Sequence, residues 1–521
     1  MEKKKTKTST TKKAVSKKTA PKKVEKTANV KAEVKKVEEV KEVIKQEVKK
    51  QDHTLFKIIL IVLLVVTLLT WLVKSGSWSY NANEAGKTIA EFTENEATTP
   101  TGINEFFLSS YYAVNYYLIQ LVFLAILGLF YGVVSKTKGY KALVKKVANI
   151  FRSKTQIFTL VSSLLIAGFV SITTQPIVVL TFVPFLYSIA KELKFNKVSA
   201  MLMTYGSLAV GLMGVTYGSY GLVYALSNMG VEVSEGIVAR ASILVAAYLI
   251  LNMFIVLYNK KFAKNAELVE ENFETVDAGN AKAWPMAIVF GLLFVIMVLG
   301  YVSWTNMGVE VFTNFHKWLS TELVFGDNKV PVVYNIIGKV TELGAWDPFV
   351  LAYIMLIAIV VVKFISKTKW DDVFDNALEG LKVVARPILI VASAYSIFVV
   401  CYWSGLVNPI INFFNSGDNF SPYLNTIGNM IADFLHIDVE YTGFSYAALY
   451  ASKYADRLGQ VMACMTSAAG LVAICAPTSM FMITGLTLSK LSYKDYLKAA
   501  WKLLVALVIV IALILTVVTF L

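Results

Sequence analysis

The feature that most constrains this fold is a succession of apolar stretches, each about as long as a membrane is thick. A helix needs about 20 apolar residues to cross the hydrocarbon core. The chain is 56% hydrophobic and only 17% charged, where a soluble domain carries about 25% charge. These numbers exclude a soluble enzyme and predict an all-α polytopic membrane protein. The predicted spans are 55–74, 113–134, 198–228, 236–257, 286–304, 348–366, 386–404, 459–488 and 497–520.

Most of the net charge of +14 belongs to the N-terminal tail, because residues 1–52 hold 18 lysines and 8 acids. The first half of the tail lacks large apolar residues and should be disordered. Residues 30–48 repeat valine and isoleucine at helical spacing, which indicates either a helix that binds anionic lipid or a partner, or a solvated spacer. Since the charge is confined to the tail, no nucleic acid is expected as a partner.

The distribution of lysine and arginine predicts the orientation. With the tail in the cytoplasm, 41 of the 50 basic residues fall in cytoplasmic segments. We therefore expect a multi-pass protein of the plasma membrane with a cytoplasmic N-terminus, in contact with the lipid bilayer.

Two further apolar stretches, 156–192 and 425–457, are interrupted near their middles. The first is flanked by basic residues at both ends, which favours a re-entrant hairpin that enters and leaves on one side. A pair of short, tightly packed full spans is the alternative. The second stretch follows a span that should end outside, so it predicts a hairpin entering from the opposite side. Irregular backbone at membrane depth requires surrounding protein or a water-filled cavity.

Each hairpin precedes an apolar segment that is itself broken by small polar residues. Residues 211–219 read GLMGVTYGS and residues 470–479 read GLVAICAPTS. The two copies run in opposite directions by the charge count, which predicts an inverted-topology repeat with two re-entrant hairpins and two broken helices. The predicted divisions are a tail (1–52), a first repeat (53–257), a cytoplasmic linker (258–285), a linking span (286–304), an extracellular arm (305–346) and a second repeat (347–521).

The four interruptions supply the candidate solute and ion site. Unwound backbone frees carbonyl groups for a cation, helix N-termini attract an anion, and hydroxyl groups add ligands without a buried charge. Oxygen ligands suit sodium at the helix breaks, with protons as the alternative coupling ion. Glu440, beside the second interruption, is the candidate for proton coupling. The candidate residues are Ser171, Thr173, Thr174, Gln175, Pro176, Thr216, Gly218, Ser219, Thr442, Gly443, Ser445, Pro477, Thr478 and Ser479.

In the C-terminal block, residues 455–460 read ADRLGQ, residues 476–479 read APTS and residues 491–498 read LSYKDYLK. This block resembles the YfcC-like, four-carbon-dicarboxylate anaerobic carrier family of the ion transporter superfamily. The chain departs from the family pattern at Thr174 and Gln175, where paired glutamates are common. The resemblance implies import or exchange of a small organic anion such as a dicarboxylate, an amino acid or a short peptide, and a homodimer.

The sequence thus predicts a secondary active transporter that uses no cofactor apart from sodium, and not an enzyme. It lacks the phosphate-binding loop of an ATPase, so the energy should come from a gradient or from exchange. The alternative is a membrane scaffold or exporter component that uses the basic tail to bind lipid or a partner.

Overall fold

Helices dominate the computed structural model, which describes residues 53–82, 88–218, 229–262, 267–325, 328–417 and 419–520. The predictions for the tail and for Ser219 lie outside these residues. Within them, nine helical segments are long and apolar enough to cross a membrane. The predicted all-α polytopic fold is therefore confirmed, and Thr54–Leu521 forms one unit.

The first part of this unit leads into the first hairpin. A span is followed by a two-stranded antiparallel sheet, two helices that meet at Tyr117, and an amphipathic helix. These elements are α1 (Thr54–Leu72), β1 (Gly76–Ala82), β2 (Thr88–Glu94), α2 (Ile103–Tyr116), α3 (Leu118–Ser135) and α4 (Lys138–Phe151). The sheet was not predicted; Gly76 pairs with Glu94 and Ala82 with Thr88.

The first hairpin and the first broken helix come next. The second arm of the hairpin begins with one short helix and continues through a 3-10 turn at Leu180–Phe182. The broken helix widens into a π-helical turn at Leu202–Gly206, a feature often found at functional sites. The helices are α5 (Thr155–Thr173), α6 (Pro176–Val179), α7 (Val183–Glu192), α8 (Lys197–Met213) and α9 (Ile237–Phe262).

A linking span and an arm of short elements separate the two halves. The arm contains a 3-10 turn at Thr305–Met307 and a second small antiparallel sheet. These elements are α10 (Trp284–Tyr301), α11 (Val311–Leu319), β3 (Leu323–Phe325), β4 (Asn328–Val330) and α12 (Val332–Ile337).

The second half repeats the order of span, span, hairpin, broken helix and span. Its helices are α13 (Pro348–Ser366), α14 (Trp370–Ser404), α15 (Val407–Phe414), α16 (Pro422–His436), α17 (Val439–Lys453), α18 (Leu458–Cys475), α19 (Met480–Ser489) and α20 (Tyr493–Phe520). Helices α16 and α17 form the second hairpin, and α18 and α19 form the second broken helix.

Equivalent elements of the two halves pack against each other. Helix α3 packs on α14, α8 on α18, and α9 on α20. Glycines allow the closest crossings: a Cβ at Gly380 would lie 2.1 Å from the carbonyl oxygen of Gly128, and a Cβ at Gly470 would lie 2.5 Å from that of Ala209. Small residues at such contacts let helix backbones approach in membranes. The broken helices therefore meet at the centre of the unit.

Three predicted boundaries were wrong. The span predicted at 386–404 is instead the second half of α14, a 35-residue helix that begins at Trp370 and continues through Pro387. The span predicted at 113–134 is divided at Tyr117, which leaves helical geometry with a ψ of 25°. The second hairpin turns at Ile437 and Asp438, before the predicted interruption at 440–445.

Candidate functional site

The two hairpin turns have the same unusual backbone geometry. Thr174 follows α5 with a φ of 54°, and Ile437 follows α16 with a φ of 62°. Each donates its backbone N–H to the carbonyl four residues earlier, Val170 or Asp433, at 2.8 Å. Left-handed geometry is strained for β-branched residues, and such strain concentrates at functional sites. The two tips are therefore structurally equivalent and locally strained.

Each broken helix is hydrogen-bonded to the hairpin of its own half. In the first half, the Ser171 hydroxyl donates to the carbonyl oxygen of Gly214 at 2.7 Å, and the Thr216 N–H donates to the carbonyl oxygen of Ser171 at 2.8 Å. In the second half, the Thr478 hydroxyl donates to the carbonyl oxygen of Phe434 at 3.0 Å. These hydrogen bonds join each hairpin to the broken helix of the same half. The hydroxyl groups of Ser171 and Thr478 therefore already have protein partners.

A cleft of about 1130 Å³ lies where the interruptions meet, and it adjoins a smaller cavity of about 470 Å³. The two share six lining residues: Thr174, Leu212, Asp433, Val439, Glu440 and Ala469. Both hairpins and both broken helices contribute to this set.

The predicted site residues divide into two groups. Those that line the cleft or the smaller cavity are Thr174, Gln175, Pro176, Glu440, Thr442, Gly443 and Ser479. Those absent from both linings are Ser171, Thr173, Thr216, Gly218, Ser445, Pro477 and Thr478. The hydroxyl of Thr173, for example, donates to the carbonyl oxygen of Phe169 at 2.8 Å.

The turn of the second hairpin lies earlier than predicted because Asp438 caps α17. Its carboxylate accepts the backbone N–H of Tyr441 at 3.0 Å, and aspartate is a favoured residue at this position. Thr442, Gly443 and Ser445 are consequently helical, and no broken backbone surrounds them. The Thr442 hydroxyl lies 3.2 Å from Nδ1 of His436.

The residues predicted from the sequence did not include two tyrosines that line the cleft or the buried Asp433. Tyr117 and Tyr395 both line the cleft, and their rings stack with centroids 3.6 Å apart. Asp433 was not among the candidate residues, but it is only 2% exposed and lines both cavities. The available signal was its spacing of three or four residues along α16 from other polar residues that are also buried, Asn429 and His436.

Three side-chain atoms on residues that line the cleft lack a partner among the described residues: Oε1 of Gln120, Oγ1 of Thr174 and Oδ1 of Asp433. The last two lie on opposite hairpins, and both of their side chains are more than nine-tenths buried. Buried polar groups normally form hydrogen bonds. These two atoms are thus available to a bound solute or ion.

The described residues contain no group of three or more histidine, cysteine, aspartate or glutamate side chains placed to hold a metal ion. A sodium site built from hydroxyl and carbonyl oxygens is a different arrangement, and the prediction of sodium stays untested. Among the described residues at the breaks, Thr174 has a buried hydroxyl oxygen without a protein partner, and this oxygen is available to such a site.

A multi-pass helical unit with paired hairpins and broken helices around a buried cleft is a membrane transporter. The chain belongs to the C4-dicarboxylate anaerobic carrier family, because the sequence model of that family matches residues 53–520. The resemblance expected from the sequence is thereby confirmed.

Two solved structures are similar over most of their length. The YdaH transporter of Alcanivorax borkumensis is 11% identical, with 89% of this chain and 98% of that chain covered and a TM-score of 0.38. MtrF of Neisseria gonorrhoeae is 12% identical, with 90% and 95% covered and a TM-score of 0.33. We draw no argument from likenesses this distant. No curated protein matches the chain.

Proposed function

We propose that this chain is a secondary active transporter that moves a small organic anion, namely a dicarboxylate, an amino acid or a short peptide, by alternating access. The observation that carries the proposal is the shared cleft, to which the hairpin and the broken helix of each half contribute. A solute bound there contacts both halves, so movement of one half against the other changes the side from which the solute is reached.

Each lining group has a role in this proposal. Thr174 and Gln175 at the first tip offer a hydroxyl and an amide to the solute or to a coupling ion. Ser479 stands at the N-terminus of α19, where unpaired backbone N–H groups and the helix dipole favour a carboxylate. Ser171 and Thr478 hold the breaks against the hairpins and act as positioning residues.

The coupling energy in this proposal comes from a sodium or proton gradient or from exchange. No step of the proposed cycle makes or breaks a covalent bond in the solute, so the protein acts as a carrier and not as an enzyme. The charge distribution supports a plasma-membrane location with the tail in the cytoplasm, and the family resemblance supports a homodimer.

The proposal is tested by counterflow of labelled solutes into proteoliposomes, with and without sodium and pH gradients. We expect Gln175→Ala to lower uptake at least tenfold while the protein stays folded. The matched control is Thr487→Ala, because Thr487 is absent from the cleft lining and its hydroxyl donates to the carbonyl oxygen of Ile483 within α19. Equal loss in both variants would remove the site assignment.

Deleting residues 1–50 separates the transporter from the scaffold or exporter hypothesis. Transport by the remaining chain makes the tail accessory. Loss of all uptake, with the truncated protein still folded in the membrane, would favour the alternative.

A further inference from the structure

The arm between α10 and α13 carries an exposed apolar face. On α11, the side chains of Val311, Phe315 and Trp318 are 60%, 50% and 62% exposed. Their spacing of four and then three residues places them on one side of the helix. On α12, Ile336 and Ile337 are also exposed. A surface in contact with water rarely exposes so many large apolar side chains together, so this face indicates an interaction site.

The other side of α11 packs on the arm itself. The Phe312 ring contacts the Trp304 ring, with centroids 5.2 Å apart, and Leu319 is buried. The hydroxyl groups of Thr313 and Thr305 form a hydrogen bond at 3.0 Å. These contacts fix the rotation of α11, and they turn its apolar face away from the rest of the arm.

The arm is tied to the ends of two candidate spans, α10 and α13. The backbone N–H groups of Gly344 and Trp346 both donate to the carbonyl oxygen of Gly300, at 3.0 and 3.2 Å. The Tyr301 hydroxyl donates to the carbonyl oxygen of Asp347 at 2.7 Å. Since α11 has nine residues, it is about 14 Å long. It therefore lies close to the level at which α10 leaves the membrane and α13 enters it.

A lipid surface fits this face because the face continues the apolar surface of the spans. Val295 on α10 and Phe349 and Tyr353 on α13 are exposed large apolar residues, and in a multi-pass protein such residues meet lipid. Lys317, which is exposed, lies beside Trp318 on α11. Tryptophan and lysine are the residues that a helix lying in the membrane interface presents to acyl chains and headgroups.

We propose that α11 lies in the interface of the membrane leaflet on its own side, with Val311, Phe315 and Trp318 among the upper acyl chains and Lys317 at the headgroups. The distribution of basic residues predicts that this leaflet is the outer one. The arm is then a lipid-bound anchor for the ends of α10 and α13. It thereby also holds Asp347, at the edge of the cleft, in place. The inference does not depend on which solute the protein moves.

The test measures the depth of a fluorophore on α11. Full-length Phe315→Cys is labelled with nitrobenzoxadiazole and reconstituted into vesicles of phosphatidylcholine and phosphatidylglycerol. Some of the lipid carries a nitroxide quencher, either near the headgroup or near the end of the acyl chain. The unsubstituted protein measures the background labelling of its own cysteines.

The matched control is Lys317→Cys, because Lys317 is exposed on the same helix but lies about 200° around it from Phe315. We expect the shallow nitroxide to quench the label in Phe315→Cys at least about twofold more strongly than in Lys317→Cys. Val311→Cys, on the same face, replaces Phe315→Cys if that variant does not fold.

Three results would overturn the inference. Equally weak quenching in both variants would place the face in water. Blue-shifted emission without quenching by either lipid would mean that protein, such as a second copy of this chain, covers the face. Stronger quenching by the deep nitroxide would mean that α11 is inserted in the hydrocarbon core. None of these results concerns solute flux, so the proposed transport function would stand in each case.

Discussion

Acidic side chains cluster in two regions of this protein, with opposite arrangements. In the segment 267–277, which connects the halves, every acidic side chain contacts a lysine. In the cleft, no acid forms an ion pair with a lysine or arginine that the structure describes. The linker pairs are Glu267 with Lys197, Glu270 with Lys490, Glu271 with Lys141 and Lys191, Glu274 with Lys136, and Asp277 with Lys145.

The difference separates acids that hold the fold from acids that are available to a ligand. The linker lysines lie on α4, α7 and α8 and just after α19, so their pairs tie several elements to one segment. Backbone bonds add to this, since Val269 donates to the carbonyl oxygen of Phe195 at 2.8 Å. Removing one partner of a buried ion pair is strongly destabilising. Neutralising an acid that contacts no basic side chain should cost less.

The largest expected effect is on stability in the linker. Glu271→Gln leaves Lys141 and Lys191 without their shared partner, and the Glu271 side chain is only 9% exposed. We expect the free energy of unfolding to fall by about 2 kcal/mol, measured by thermal or denaturant unfolding in detergent. Unchanged stability would show that the contacts of Glu271 with Lys141 and Lys191 do not stabilise the fold.

The sequence predicted the cleft better than the linker, for physical reasons. The turn at Thr174 and the break at Pro477 carry local signals, namely polar residues and proline inside apolar runs. Ile437 carries none, because an isoleucine in left-handed geometry is imposed by the surrounding packing. The span was predicted to begin at 386, but the helix begins at Trp370 and continues through Pro387, because packed neighbours in a membrane protein can satisfy the freed backbone groups.

The linker pairs could not be predicted from local patterns. Lys490 and Glu270 lie far apart in the sequence and meet only in the folded chain. The sequence predicted only a cytoplasmic linker at 258–285. The same limit applies to Tyr117 and Tyr395, which come from different halves and whose stacking depends on the crossing of α3 and α14.

A smaller effect of the same kind should follow from pH. Burial raises the pKa of Glu271, but Lys141 and Lys191 lower it further, so the net pKa lies below that of an ordinary glutamate. The stabilising contribution is therefore complete above about pH 4.3 and is lost as the pH falls through the lower, folded pKa. We expect hydrogen exchange in 267–277, corrected for intrinsic rates, to stay constant from neutral pH to about pH 5 and to increase below pH 4. Glu271→Gln should weaken this dependence and leave the part that comes from Glu270, whose pKa is lowered by its hydrogen bond with Lys490; an increase that begins near neutral pH would contradict the prediction.

In the cleft, Asp433→Asn should change the free energy of unfolding by less than about 1 kcal/mol, because Oδ1 has no partner to lose. The same variant should lower solute uptake, because Asp433 lines both cavities. Measuring the unfolding of both variants under identical conditions compares an acid that lines the cleft, Asp433, with an acid that stabilises the linker, Glu271. A stability loss as large as that of Glu271→Gln would mean that Asp433 also holds the fold, and the distinction between the two regions would fail.

The smallest effect is expected where an acid is paired but exposed. Asp277 contacts Lys145 at 3.0 Å, and its side chain is 83% exposed. Water and salt screen such a pair, so Asp277→Asn should unfold at the temperature of the parent protein. Asp277 and Glu271 lie on the same segment and both contact lysine, which leaves burial as the main difference between them. If Asp277→Asn were as destabilising as Glu271→Gln, pairing alone would stabilise the linker, and burial would not be the property that separates its acids.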